Sequence, residues 1–250
     1  MSNDEKKLSV LGHLGELRKR LIRSLIVVTV ISILSFIFYE QIFDILIGPA
    51  PQDIELQAIE MTEMIGTIMR VCMVSGIILA MPFLTYELIM FVSPALTSKE
   101  KKYVYLILPW IALMFAAGVV FSYYILIPRM VTFLLTFGSN IVTTVPRIKD
   151  YINVVTRLLL VVGLVFEMPV LTTFLARLGI LKPKWLVDKR KAAIIVAFIL
   201  AGMITPTIDP INQSLVAIPL IILYEMSIWL AKLVYRKESR AATSVSSPAS

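Results

Sequence analysis

Long apolar runs, separated by short charged segments, repeat along the whole chain. Six of them cover about residues 21–39, 65–85, 103–127, 151–175, 192–204 and 214–230. The first four reach or approach the ~20 residues that a helix needs to cross a hydrocarbon core of ~30 Å, whereas the last two are shorter. The pattern therefore predicts an all-α membrane protein with six transmembrane helices, of which the fifth and sixth are short.

Proline and acidic side chains interrupt these runs. Pro82 and Glu87 divide the second run from an apolar continuation that reaches residue 92, and we expect a kink or break there, because proline cannot donate the helical hydrogen bond and its ring clashes with the preceding turn. Pro128 follows the third run and predicts its end. Residues 40–63 and 129–150 are then two long loops, and each carries a short apolar piece, at 41–47 and 131–137.

Basic residues are distributed unevenly between the two sides that the runs define. Most of the 24 Lys and Arg residues lie before the first run, between the second and third, between the fourth and fifth, or after the sixth. Because such residues accumulate in cytoplasmic loops, we predict that both termini are cytoplasmic and that the two long loops are external. Residues 1–238 are then one polytopic domain in the cytoplasmic (inner) membrane, and the Ser- and Ala-rich segment 239–250 is predicted to be a disordered cytoplasmic tail.

Composition narrows the possible functions. The chain is 58% hydrophobic and carries a net charge of +7, with a mean hydropathy of +0.86. In a membrane protein this positive charge indicates contact with anionic lipid headgroups rather than with nucleic acid. The single Cys72 and the single His13 argue against a soft metal site in one chain, and we predict no metal and no cofactor.

Two acidic residues lie inside the apolar runs. Glu167, followed by Pro169, is in the fourth run, where a carboxylate costs at least ~2.5 kcal/mol. We interpret Glu167 as a polar position that lines a water-accessible cavity, and a hydrogen bond between helices from the protonated carboxyl is the alternative. Glu225 lies nearer the cytoplasmic end of the sixth run, where snorkelling or pairing with Lys232 explains it as well as a function does.

Two further acids lie in basic segments on the predicted cytoplasmic side. Glu16 has Lys19 and Arg20 at helical spacing, and Glu100 is surrounded by lysines. Taken singly, each is best explained by a local ion pair. Taken together, they could hold a dibasic ligand, because a guanidinium forms two parallel hydrogen bonds with a planar carboxylate. Phe91 could add an apolar or cation–π surface beside them.

Sequence signatures of enzymes are weak. The chain contains no G-x-S-x-G, no H-E-x-x-H and no glycine-rich phosphate loop, and no pair of Asp residues lies within the runs. Asp209 precedes Pro210 and is interpreted as the cap of a tight turn. We therefore predict no catalytic residue.

Six different short motifs follow one another between residue 8 and residue 238. They are His13-Leu14-x-Glu16-Leu17-Arg18-x-Arg20, Phe91-x-x-Pro94-Ala95-Leu96-x-x-x-Glu100-Lys101, Phe121-x-Tyr123-x-x-x-x-Pro128, Phe166-Glu167-x-Pro169, Thr205-Pro206 with Asp209 and Gln213, and Ala217-x-Pro219 with Tyr224-Glu225. Each motif is weak alone, whereas their order and spacing over six runs are specific. In these motifs the chain resembles TatC, the multispanning receptor component of the twin-arginine protein translocase.

That resemblance implies a concave, glove-like fold of six helices. It also implies a receptor for twin-arginine signal peptides that is the core subunit of the Tat translocase and exports folded proteins with the proton-motive force. Predicted partners are single-span TatA- and TatB-type proteins, the twin-arginine signal peptides of folded cargo, membrane lipids and further copies of the chain in a larger complex.

The resemblance also assigns residues. Those matching Glu16, Arg18, Phe91 and Glu100 are implicated in the signal-peptide site of the family, and the residue matching Glu167 lies in the cavity of the concave face. Three more polar residues are candidates for partner contacts or structural roles: Asp209, Gln213 and Glu225.

Two other functions remain open from the sequence. A proton-coupled small-molecule secondary transporter would use Glu167, although the chain shows no internal repeat and no paired charges in the middle of its runs. An intramembrane enzyme is the third hypothesis, and it lacks a nucleophile–base pair.

Overall fold

The computed structural model of the chain describes the backbone of residues 3–51, 55–92, 98–137, 145–205 and 209–245, and side chains over 14–51, 55–91, 107–137, 145–205 and 209–235. Within these ranges the regular structure is helical, apart from one isolated bridge between Gln57 and Arg147. The helices are α1 (Asn3–Ile37), α2 (Tyr39–Ile47), α3 (Glu63–Val92), α4 (Ser98–Phe121), a π-helical turn (Ser122–Leu126), α5 (Ile127–Thr136), α6 (Ile148–Arg177), α7 (Pro183–Asp188), α8 (Arg190–Ile204) and α9 (Pro210–Val245).

Five segments of the described chain are long and apolar enough to cross a membrane. They are Leu14–Ile37, Glu63–Phe91, Ile107–Thr136, Ile148–Arg177 and Pro210–Tyr235. The predicted all-α membrane class is therefore confirmed. The helix α8 has 15 residues. At 1.5 Å per residue it is about 22 Å long, which is short of a ~30 Å core, as predicted for the fifth run.

The sixth helix corrects the prediction, because it is not short. The helix α9 begins at Pro210, before the apolar run, and its membrane-compatible part extends to Tyr235. Asn212 and Gln213 belong to this helix, but because they are polar, the apolar run begins only after them. At the other end α9 continues to Val245, so the structure differs from the predicted disorder over 239–245. No proline or glycine interrupts that stretch, and residues 246–250 lie outside the described part of the chain.

Pro128 does not end the third helix, contrary to the prediction. A π-helical turn precedes it, in which the N–H of Ile127 bonds to the carbonyl of Ser122, five residues back. This wider turn changes the hydrogen-bond register just where proline lacks a donor, and the chain continues as α5. Pro82 and Pro169 likewise lie inside continuous helices, so α3 does not break at Pro82, whereas the kink expected there stays a prediction. Proline is tolerated in membrane helices because neighbouring groups satisfy the freed carbonyls.

The described contacts divide the chain into two compact units. Unit 1 contains Met1–Asp44 and Ile65–Ala112, and unit 2 contains Ile45–Met64 and Leu113–Ser250. In unit 1, α1 and α3 are antiparallel, because Ser32 meets Gly76 while Arg20 meets Glu87. A Cβ on Gly76 would lie 2.9 Å from Ser32 Cα, so only glycine allows this approach of the two helices.

In unit 2, α6 packs along α9, and α8 packs beside α9. The buried face of α6 carries Ile152, Val155, Leu158 and Val162 at helical spacing. Gln213 of α9 donates from Nε2 to the carbonyl of Phe198 in α8 at 2.8 Å. This bond joins the two helices directly.

A buried carboxylate, that of Glu63, joins the ends of the two predicted external loops. Glu63 accepts from the backbone N–H groups of Ile59 at 2.9 Å, Glu60 at 3.2 Å and Lys149 at 3.3 Å. Arg147 Nη2 lies 3.8 Å from Glu63 Oε2, whose side chain is fully buried. Glu63 therefore holds the start of α3 to the start of α6.

We expect Glu63→Gln to lower the melting temperature in detergent micelles more than Glu60→Gln does. The amide would lose the negative charge and turn a donor toward a site that now receives three N–H groups. Glu60 also contacts Arg147, at 3.3 Å, but its side chain is 58% exposed, and exposed pairs contribute little. Equal shifts in the two variants, measured by thermal unfolding, would show that Glu63 is not the residue that holds the loops.

Candidate functional site

Arg20 lies between two carboxylates in unit 1. Its Nε and Nη2 donate to Glu16 Oε1 at 3.0 and 2.6 Å, and its Nη1 donates to Glu87 Oε2 at 2.6 Å. Arg23 adds a longer contact, with Nη1 3.8 Å from Glu87 Oε1. We call Glu16, Arg20, Arg23 and Glu87 the arginine clasp.

The helical repeat explains why these groups meet. Glu16 and Arg20 are four residues apart on α1, so they face the same side, and Glu87 approaches from the antiparallel α3. The local pairing of Glu16 with Arg20 confirms one of the two partners predicted from the sequence. Burial increases across the clasp: the side chain of Glu16 is 32% exposed, that of Arg20 16% and that of Glu87 6%.

The clasp contains the chemistry of guanidinium recognition. Charge-assisted hydrogen bonds between a guanidinium and a carboxylate are short and about twice as strong as neutral ones. Both bonds from Arg20 to Glu16 end on Oε1, and among the described residues no donor reaches Oε2. Glu16 is also the more exposed of the two acids of the clasp, so it is the carboxylate that a guanidinium from outside can reach.

The other residues predicted for the peptide site are placed unevenly. Arg18 is exposed on α1, and Phe91 is half-buried one residue before the end of α3. Glu100 belongs to α4, but its side chain lies outside the described part. The predicted pairing of Glu16 with Glu100 therefore stays a prediction.

Glu87 is the acid of the clasp that the sequence analysis does not assign to the site. In the sequence it is one of the two groups that divide the second run from its continuation. The signal was available, because a carboxylate next to an apolar run needs a partner, and Arg20 and Arg23 are at the corresponding end of the first run. What the sequence did not contain was the antiparallel register of α1 and α3.

Glu167 is buried in α6, with a residue exposure of 2%. Its neighbour Phe166 packs against Phe121, with ring centroids 5.4 Å apart and the rings tilted by 39°. Gly118 also lies close to Phe166, since a Cβ on Gly118 would come within 2.8 Å of Phe166 Cβ. This part of α6 is thus packed firmly, and its role as a cavity wall remains a prediction.

The remaining polar candidates have structural partners. Asp209 Oδ1 accepts from the N–H of Asn212 at 2.7 Å and so caps the start of α9, whereas the tight turn predicted before it falls largely on residues 206–208, outside the described part of the chain. Glu225 pairs with Arg190 of α8 at 2.7 Å, which corrects the predicted pairing with Lys232. Lys232 is seven residues further along α9, so two helical turns separate it from Glu225, whereas α8 packs directly beside α9.

Metal ligands are not grouped in the part of the chain that the structure describes. No set of three or more His, Cys, Asp or Glu side chains there could hold an ion. The free Cys72 is buried in α3, where its side chain packs as a small apolar group.

Comparisons with known proteins agree on one family. The family model described as Sec-independent protein translocase protein (TatC) matches residues 12–219. The protein of that name from Desulforapulum autotrophicum is 40% identical over 242 residues, which cover 95% of this chain and 89% of the relative. The one from Carboxydothermus hydrogenoformans is 37% identical over 236 residues, covering 94% and 97%.

Solved structures give the same answer at the level of the fold. A structure titled "Crystal Structure of Twin Arginine Translocase Receptor- TatC" superimposes with a TM-score of 0.81 and 35% identity. The match covers 89% of this chain and 99% of that one. A second structure of the receptor, with DDM in its title, matches with the same TM-score and identity.

Proposed function

Because this chain belongs to the TatC family of Sec-independent protein translocase proteins, and is a multi-pass membrane component of the Tat system, we propose that it is the receptor for twin-arginine signal peptides. The peptide's arginines bind to Glu16 and Glu100, with Arg18 and Phe91 in the same site. The role is transport of folded proteins, driven by the proton-motive force, and not catalysis.

The arginine clasp is the observation that carries this proposal. Glu16 already binds one guanidinium, that of Arg20, through two hydrogen bonds. A peptide arginine offers the same group to the same carboxylate. Binding of the peptide is then an exchange, in which its arginine takes Glu16 while Arg20 keeps its bond to Glu87.

The exchange has a modest net cost because the buried bond is retained. Glu87 is the least exposed acid of the clasp, and leaving it without a guanidinium would be expensive. Glu16 is one-third exposed, so water compensates part of its loss while partners change. The clasp therefore favours release of Arg20 from Glu16 rather than from Glu87.

The membrane arrangement completes the proposal. We place α8 as a short fifth span and α9 as the sixth, with both termini on the cytoplasmic side of the inner membrane, in keeping with the basic residues near those ends. The apolar part of the peptide lies along a concave face near Glu167. Single-span TatA- and TatB-type proteins and further copies of the chain are the proposed partners.

Photocrosslinking of a twin-arginine peptide to the protein in membranes tests the site. We expect the crosslink yield to fall at least tenfold for Glu16→Ala combined with Glu100→Ala, because each charged hydrogen bond contributes about 1.5–3 kcal/mol. The control is Glu40→Ala, which removes an exposed acid from α2. If the double variant binds the peptide as well as the unmodified protein does, the assignment of Glu16 and Glu100 is wrong.

A further inference from the structure

An apolar groove runs along one face of α8 in unit 2. It encloses a cavity of about 480 Å³ between α6, α7, α8 and α9. Lys189, the residue before α8, lies at one end of the groove. The residues of α8 that line it follow at helical spacing: Ala192, Ala193, Val196, Ala197 and Leu200. From Lys189 to Leu200 the groove is about 16 Å long at 1.5 Å per residue.

The groove is suited to a hydrocarbon chain and not to a polar molecule. The alanines of α8 leave the space that larger side chains would fill, and Met168 and Leu220 form the opposite walls. The polar groups in the wall are already satisfied: Thr172 Oγ1 donates to the carbonyl of Met168 at 2.8 Å, and the Tyr224 hydroxyl to that of Leu186 at 2.7 Å. They have little left to offer a ligand.

One end of the groove is positively charged. Lys189 lies at its rim with an exposed side chain, and no carboxylate of the described chain pairs with it. The adjacent Arg190 is different, because Glu225 binds it at 2.7 Å. The charge of Lys189 therefore remains available, and the first N–H groups of α8 add a partial positive charge at the same end.

We infer that this groove binds an anionic phospholipid, with one acyl chain along α8 and the phosphate at Lys189. Trp185, which is 55% exposed beside the rim, marks the level of the headgroups, where tryptophan is enriched. Basic pockets between membrane helices bind anionic headgroups, and each buried CH₂ of a chain adds to the affinity. This lipid site shares no residue with the arginine clasp and does not rest on the peptide proposal.

Native mass spectrometry of the detergent-purified protein tests the headgroup contact. At limiting lipid we expect phosphatidylglycerol to bind more tightly than phosphatidylcholine of the same chains. Lys189→Gln should weaken phosphatidylglycerol binding about fivefold, which is the expected contribution of one lysine to the affinity for an anionic headgroup. Lys191→Gln removes a lysine that is also exposed but does not line the groove, and it should have little effect. Equal losses in the two variants would overturn the contact with Lys189.

Two further measurements test the groove itself. Ala193→Leu should weaken both lipids by filling the space, and a folded variant that binds them normally would refute the acyl-chain site. Trp185 can be made the only tryptophan by Trp110→Phe and Trp229→Phe. Phosphatidylglycerol with brominated chains should then quench the fluorescence of Trp185, and the quenching should saturate at about one lipid per protein. If a twin-arginine peptide displaces that lipid at equal concentration, the groove belongs to the peptide and the lipid proposal fails.

Discussion

A twin-arginine peptide is expected to bind the Glu16→Gln variant about tenfold to a hundredfold more weakly than the unmodified protein. Glutamine keeps the shape and one acceptor of the side chain but loses the charge, and hydrogen bonds that involve a charged group contribute about 1.5–3 kcal/mol each. The loss is measured by fluorescence anisotropy of a labelled peptide with protein in detergent micelles. Salt must be kept constant, because Glu16 is partly exposed.

A double-mutant cycle with the peptide separates direct contact from indirect effects. Each peptide arginine is replaced by glutamine in turn, and each peptide is measured against both forms of the protein. If Glu16 binds one arginine directly, replacing that arginine costs much less in the Glu16→Gln variant. Additive losses for both arginines would mean that Glu16 acts through another group, and the proposed contact would be rejected. Glu40→Gln supplies the control for a general loss of negative charge.

The sequence was sufficient for the helices but not for the relations between them. Apolar runs predicted the membrane class, because a hydrocarbon core imposes a minimum length on every crossing segment. They located α6 and α8 closely. They misplaced the ends of α9, since Asn212 and Gln213 are polar yet helical, and they ended the third helix at Pro128. A π-helical turn compensates for that proline, and no pattern of apolar residues indicates such a turn.

The candidate site shows the same limit at the level of side chains. Glu16 and Arg20 are four residues apart, so their ion pair could be predicted from the helical repeat alone. Glu87 is 67 residues from Arg20, and their bond depends on the antiparallel register of α1 and α3. Gly76 sets part of that register through its contact with Ser32. Likewise, the partner of Glu225 is on α8, and spacing within its own helix led to Lys232 instead.

Replacing Arg20 by glutamine is expected to destabilise the protein by about 3 kcal/mol, the lower end of the cost of breaking a buried ion pair. Glu87 would keep its charge in a site where its side chain is only 6% exposed. Arg23, at 3.8 Å, can compensate for part of the loss by moving closer, which is why we expect the lower end. The measurement is unfolding by a denaturing detergent. Lys19→Gln removes an exposed charge from the adjacent position and should change stability little.

The double variant Arg20→Gln with Glu87→Gln should recover most of that stability, because it removes the buried charge together with its partner. Its effect on peptide binding should be opposite in sign to that of Glu16→Gln. Glu16 would no longer be occupied by Arg20, so a peptide arginine would bind without displacing a competitor, and we expect affinity to rise about tenfold. A double variant that is stable but binds the peptide no more tightly would show that Arg20 does not compete for Glu16. A gain in affinity would identify the clasp as the resting state of the receptor, in which the chain's own arginine holds the place of the ligand.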